Sequence, residues 1–132
     1  MARVLGVDVA VRFLGWRQDL STIYAASDLF VLTSRNEGTP VALIEAMASG
    51  IPGVSTDVGG VRDVITSPSV GAVVPFGDAE ALAGSVLSLL AAGTAERRAM
   101  GMRARDVVSR RFTIERLVGE IADLYGELIN EE

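Results

Sequence analysis

Ser34-Arg35-Asn36-Glu37-Gly38-Thr39-Pro40-Val41-Ala42-Leu43-Ile44-Glu45-Ala46-Met47-Ala48-Ser49-Gly50 reads as the end of a buried strand, a polar turn and a helix. Ahead of it, Leu29-Phe30-Val31-Leu32-Thr33 is the short apolar run of a strand covered on both faces of a parallel sheet. Thr39 is placed to cap the helix, and Pro40 fits its first position, where a missing N–H costs nothing. Gly50 and Pro52 then end it. Between those limits the helix is apolar on nearly every side, which predicts burial, and Glu45 is its only charge.

A lone carboxylate on such a helix is either turned to the rim or paired, because an unpaired buried charge costs several kcal/mol or titrates away. A hydrogen-bond donor is therefore expected at Glu45. Glu37 stands just outside the same helix's N-terminus, where loops at the carboxyl ends of parallel strands face a ligand crevice. Free N–H groups and the positive dipole end suit a phosphate there, so a nucleotide-type ligand fits between the two glutamates. The plain alternatives stay open: Glu45 as an ordinary rim residue, Glu37 as a solvated loop residue.

Working outward, strands alternate with helices. Val11–Leu14 is a candidate strand, and Asp19 caps a helix running to about Ser27 with Ile23 and Tyr24 inward. The strand at 28–33, the motif helix and a strand over Gly53–Thr56 make a βαβ unit with a right-handed crossover. Gly59-Gly60 introduces a short helix over Val61–Ile65, and Ala72–Pro75 is a fourth strand. Asp78 caps a helix to about Ala92, with Leu82, Val86, Leu89 and Leu90 on one face, and Gly93 ends it. A further helix runs from Thr94 to about Arg111, where Arg97, Arg98, Arg103 and Arg105 read as solubilising decoration. Thr113 caps the last helix, whose Leu117, Ile121, Leu124 and Leu128 form a packing stripe. The fold class is α/β, with about four mostly parallel strands flanked by helices and a helical C-terminus.

Composition narrows the chemistry. The 132 residues fit one domain spanning 1–132 and suffice for a real core. Mean hydropathy is +0.37, yet no apolar run approaches the roughly 20 residues that span a bilayer. The first residues lack a secretory signal's apolar core, so a cytoplasmic protein is expected. Neither cysteine nor histidine is present, which excludes disulfides, thiolate nucleophiles, His-dependent triads and the common zinc sites. A net charge of −5 speaks against a nucleic-acid surface. All 12 basic residues are arginine.

Glu37-Gly38-Thr39-Pro40 followed by Leu43-Ile44-Glu45-Ala46-Met47-Ala48-Ser49-Gly50-Ile51-Pro52 resembles the motif of glycosyltransferase family 4, the retaining nucleotide-sugar transferases of GT-B fold. Seven residues stand between the two glutamates, as in that motif. Val11-Arg12-Phe13-Leu14-Gly15 and Thr56-Asp57-Val58-Gly59-Gly60 are similar to the family's flanking segments, in the family's order.

The resemblance implies a truncated Rossmann-like domain, the C-terminal, nucleotide-sugar-binding part of a glycosyltransferase. It gives Glu45 the ribose hydroxyls and Glu37 a donor-sugar hydroxyl, which makes Glu37 the catalytic candidate. Gly38, Thr39, Pro40 and Val41 would line the sugar and diphosphate, with Pro40 unable to donate. Arg17 and Asp19 would border the base. Gly53 departs from the branched aliphatic residue usual after the proline. Family transfer retains configuration and requires no metal or other cofactor, the leaving diphosphate being stabilised by cations and amides.

In that family two further strands precede these, carrying a glycine turn, an arginine and a lysine that grip the diphosphate. A chain without lysine lacks that grip and the acceptor domain, so it is expected to be inactive alone. In a sheet ordered 3-2-1-4-5-6, loss of strands 1 and 2 leaves a bare edge at the Leu29 strand. Either Val11–Leu14 moves in to pair there, or a second chain or the missing N-terminal domain covers it. Partners are thus a nucleotide-sugar donor and such a covering chain, a homo-oligomer included, with no nucleic acid and no transmembrane segment. Two other functions remain: a non-catalytic interaction or regulatory module keeping the fold, and, ranked last, a glycosidase using Glu37 and Glu45 as its carboxyl pair.

Overall fold

The computed structural model describes residues 1–130. In chain order it contains α1 (Leu20–Ala25), β1 (Phe30–Leu32), α2 (Val41–Ala48), β2 (Gly53–Thr56), α3 (Val61–Val64), β3 (Gly71–Val74), α4 (Ala79–Ala91), α5 (Gly93–Arg111) and α6 (Ile114–Asn130). The strands form one parallel sheet in the order β1-β2-β3. Phe30 pairs with Gly53, and Gly53 with Gly71, so β2 is central and every one of its residues is buried.

The core forms where α2 and α3 meet α5. Leu43 and Met47 from α2, Val61 and Val64 from α3, and Ala104 and Val108 from α5 are all essentially inaccessible. Helix α5 lies so close to the end of α2 that a Cβ at Gly101 would overlap the Gly50 carbonyl. A smaller cluster joins Tyr24, Ala46 and Ile51 to Phe30, with the Tyr24 and Phe30 rings edge to face at 6.1 Å. Asp78 caps α4, its Oδ1 accepting the Ala81 N–H at 2.8 Å, and Thr113 Oγ1 accepts from the Arg116 N–H at 3.2 Å.

Several expectations are corrected. The sheet has three strands among the described residues, not four, because Val11–Leu14 makes no ladder. That segment is exposed, Phe13 at 85 %, and it does not move in against β1. An extended segment becomes a strand only by pairing, and here no neighbour receives it. Strand β1 is correspondingly half covered rather than buried on both faces, with Val31 39 % exposed. Helix α2 begins at Val41, and Thr39 makes no side-chain cap. The cap position falls on Pro40, whose φ −77° and ψ 77° are non-helical.

Two further corrections concern arginine and the last helix. The Arg97 side chain is only 12 % exposed, and its Nη1 donates to the Leu90 carbonyl at 2.9 Å at the end of α4. It serves as a helix C-terminal cap, not as surface decoration. The stripe on α6 is left largely exposed among the described residues: Leu117, Ile121, Leu124 and Leu128 are 57, 45, 54 and 55 % exposed. No helix among the described residues is long and apolar enough to cross a membrane.

Candidate functional site

Parallel pairing sends the loops after β1 and β2 to the same end of the sheet, and there they lock together. Thr56 Oγ1 donates to the Ser34 carbonyl at 2.8 Å, and the Gly60 N–H donates to the Gly38 carbonyl at 3.0 Å. Gly59 adopts φ +49°, and a Cβ there would overlap the Glu37 carbonyl oxygen. Only glycine lets the β2 loop approach so closely. The Glu37–Gly38 backbone is thereby fixed by a turn that lies 22 residues further along the chain for both Glu37–Gly59 and Gly38–Gly60. This clamp between loops is the feature sequence reading missed. Its only signal was the Gly59-Gly60 pair, read there as a helix introduction.

The glutamates occupy different surroundings. Glu37 is half-buried in the clamped loop. Glu45 lies on the exposed side of α2, and its Oε2 accepts from the Tyr24 hydroxyl at 3.1 Å. The donor expected at Glu45 is therefore a tyrosine contributed by α1. Burial of the phenol, then the hydrogen bond and the negative charge of Glu45, push the Tyr24 pKa above its ordinary value. Glu45 thus sits at the rim and is held there, with no arginine on it among the described residues.

At the head of α2 the Val41 N–H donates to the Thr39 carbonyl at 2.9 Å, and those of Leu43 and Ile44 donate to the Pro40 carbonyl. Thr39, Val41 and Ile44 line a groove of about 470 Å³ together with Asp63, Phe112 and Leu117, while Glu37 and Glu45 are not part of its lining. Arg17 and Asp19 face each other in a forked pair, Nε to Oδ1 at 2.7 Å, with both side chains about half exposed. Each holds the other charged: the Asp19 carboxyl lies below its usual range and the Arg17 guanidinium above. Beside the clamp, Arg62 Nε donates to Asp57 Oδ1 at 2.8 Å and likewise lowers the Asp57 pKa. No group of three or more acidic side chains suited to a metal occurs among the described residues.

The arrangement offers a rigid loop, a helix N-terminus and a held carboxylate at one end of a parallel sheet. Comparisons with known proteins bear on what it does. The family model described as "Glycosyl transferases group 1" matches residues 1–92. The chain is 32% identical over its whole length to the N-acetyl-alpha-D-glucosaminyl L-malate synthase of Bacillus anthracis, covering 34% of that protein. It is 36% identical to the D-inositol 3-phosphate glycosyltransferase of Salinispora tropica, over 99% of this chain and 27% of that one. Among solved structures, sucrose-phosphate synthase from Thermosynechococcus elongatus superposes with a TM-score of 0.90 at 29% identity, covering 99% of this chain and 33% of that one. HepE of Anabaena, solved in complex with UDP, gives 0.89 at 27% identity over 96% of this chain and 35% of its own. The chain thus spans only about a quarter to a third of the relatives' length.

Proposed function

The chain belongs to the group 1 glycosyl transferases, and on that premise we propose that it forms one domain supplying the donor side of a retaining sugar transfer from a nucleoside diphosphate sugar. Glu45 accepts hydrogen bonds from the ribose hydroxyls, and Glu37 meets a hydroxyl of the donor sugar. Gly38, Thr39, Pro40 and Val41 border the sugar and diphosphate, and Arg17 with Asp19 borders the base. The bond between the anomeric carbon and the diphosphate oxygen breaks, the nucleoside diphosphate leaving with the electron pair. The acceptor oxygen bonds to the anomeric carbon on the same face, and the acceptor's proton passes to the departing diphosphate. No cofactor enters this scheme, and acceptor binding and the diphosphate grip come from outside this chain. By itself the chain binds donor and does not turn over.

The observation that carries the reading is the Tyr24–Glu45 hydrogen bond. It turns one carboxylate oxygen inward on an otherwise apolar helix and leaves the other for a ligand. The UDP and UDP-glucose complexes of the Anabaena neighbour support the ligand class.

Isothermal titration of the chain with UDP, GDP and their sugars tests it. Binding that falls at least tenfold in Glu45→Ala supports the donor site, since a hydrogen bond to a charged group contributes about 1.5–3 kcal/mol. No heat with any of these nucleotides overturns it in favour of a non-catalytic module of the same fold.

A further inference from the structure

The two motif carboxylates are supported by different parts of the chain. Glu45 is tied to Tyr24 on α1. The Glu37 side chain makes no hydrogen bond among the described residues, so its place rests on the backbone that carries it.

Over residues 34–38 that backbone is tied at two points among the described residues: the Ser34 carbonyl, which accepts from Thr56 Oγ1 at 2.8 Å, and the Gly38 carbonyl, which accepts from the Gly60 N–H at 3.0 Å. Ser34 precedes Glu37 by three positions and Gly38 follows it directly. Both donors come from the end of β2 and the loop after it. Between the two ties, Gly59 closes on the Glu37 carbonyl so tightly that an added Cβ would overlap its oxygen.

This loop is itself braced. The Asp57 N–H donates to the Val74 carbonyl at 2.8 Å, which ties it to β3, and the Asp57 carboxylate takes Nε and Nη2 of Arg62 from α3 at 2.8 and 2.6 Å. Thr56 stands at the join, 6 % exposed, with its backbone in the central strand opposite Val74 and its hydroxyl on the neighbouring loop. The sheet does not require that hydroxyl, since valine suits a strand equally well. Its one hydrogen bond goes to the segment carrying Glu37. A side chain that reads a ligand has to be held within about 0.5 Å of the productive position, which calls for support behind it.

We propose that Thr56, together with Gly60, is a positioning residue for Glu37, and that the loop after β2 thereby sets affinity for the sugar of the donor and not for its nucleoside. This rests on the assignment of Glu37 to the donor sugar and Glu45 to the ribose. Because Tyr24 holds Glu45 from the α1 side, the two halves of donor recognition have separate supports and can be weakened one at a time.

Isothermal titration of the chain with UDP and UDP-glucose, and with GDP and GDP-mannose, provides the test, read as the ratio of the two affinities for the base that binds. Thermal melts by circular dichroism check folding. Thr56→Val keeps shape and strand preference but removes the donor, and it should lower the sugar nucleotide's affinity relative to the bare diphosphate about tenfold, the value of one hydrogen bond to a charged group. Thr56→Ser keeps the hydroxyl and should restore the ratio. Gly60→Ala reaches the same point by pushing: φ −76° suits alanine, but the added Cβ would lie 2.5 Å from the Gly38 carbonyl oxygen. It should move the ratio in the same direction. Tyr24→Phe should instead weaken both ligands alike and leave the ratio within about twofold, as independent sites do.

No heat from the unaltered chain with any of the four nucleotides overturns the donor reading and this proposal with it. Binding whose ratio Thr56→Val leaves unchanged, or Thr56→Ser fails to restore, overturns the positioning role alone. Should the melts show Thr56→Val unfolded, the ratio in Gly60→Ala decides in the same way.

Discussion

The Tyr24 hydroxyl lies 3.1 Å from Glu45 Oε2 and 3.4 Å from the Ala42 carbonyl oxygen, so one buried phenol on α1 fixes the position of the motif carboxylate on α2. Tyr24→Phe keeps the ring against Phe30 and removes only the hydroxyl. We expect a loss of about 1 kcal/mol in urea-unfolding stability, the usual net value of one hydrogen bond.

The same pair predicts an alkaline dependence. The Tyr24 pKa is raised in the folded chain by burial first and by Glu45 next. The protonated phenol is thus favoured by folding, and its contribution is complete below the unfolded tyrosine pKa of about 10 and is lost as pH rises through the higher folded value. Tyrosinate absorbance should show Tyr24 titrating above the ordinary tyrosine value. Glu45→Gln should bring it back toward the ordinary value, and an unchanged titration would argue against the hydrogen bond.

Gly59→Ala puts a methyl onto the Glu37 carbonyl oxygen at a backbone conformation of φ +49°. We expect a cost of about 2–4 kcal/mol, read as a fall in Tm, because the loop must retreat or the residue leave that conformation. Gly84→Ala is the opposite case. Gly84 lies inside α4 with nothing within 4 Å of an added Cβ. Thermal melts should show stabilisation of about 0.5–1 kcal/mol.

The family resemblance leads one to expect a branched aliphatic residue at position 53, and the packing around Gly53 leaves no room for one. A Cβ at Gly53 would lie 2.5 Å from Leu43 Cδ1, and Leu43 is fully buried. Gly53→Val should destabilise by about 1–3 kcal/mol through overpacking. Combined with Leu43→Ala it should cost less than the sum of the two single changes, since the valine then occupies space the leucine vacates. Strict additivity in denaturant midpoints would refute the exchange of volume.

Elements defined by local chemistry were legible in the chain. The strand over Gly53–Thr56 falls where its apolar run and flanking turns put it, and the Asp78 and Thr113 caps form with the side-chain oxygens expected of them. Helix α2 was readable as an apolar segment between Pro40 and Gly50, though its first turn was set by the Pro40 backbone rather than by Thr39. Elements whose identity depends on a distant neighbour were misread. Val11–Leu14 has strand composition but no strand beside it, and Arg97 looks like a surface charge until the end of α4 is brought to it.

The order of residues by itself determined the α/β alternation, the helix carrying Glu45, and a loop short enough to bring Glu37 to that helix's start, because propensity, capping and periodicity act over a few neighbours. Tertiary structure alone decided that Tyr24 holds Glu45, that Gly59 clamps the Glu37 backbone, and that the α6 stripe faces outward. Each of those depends on which distant surfaces arrive within contact, and the apolar content of a segment does not specify what will cover it.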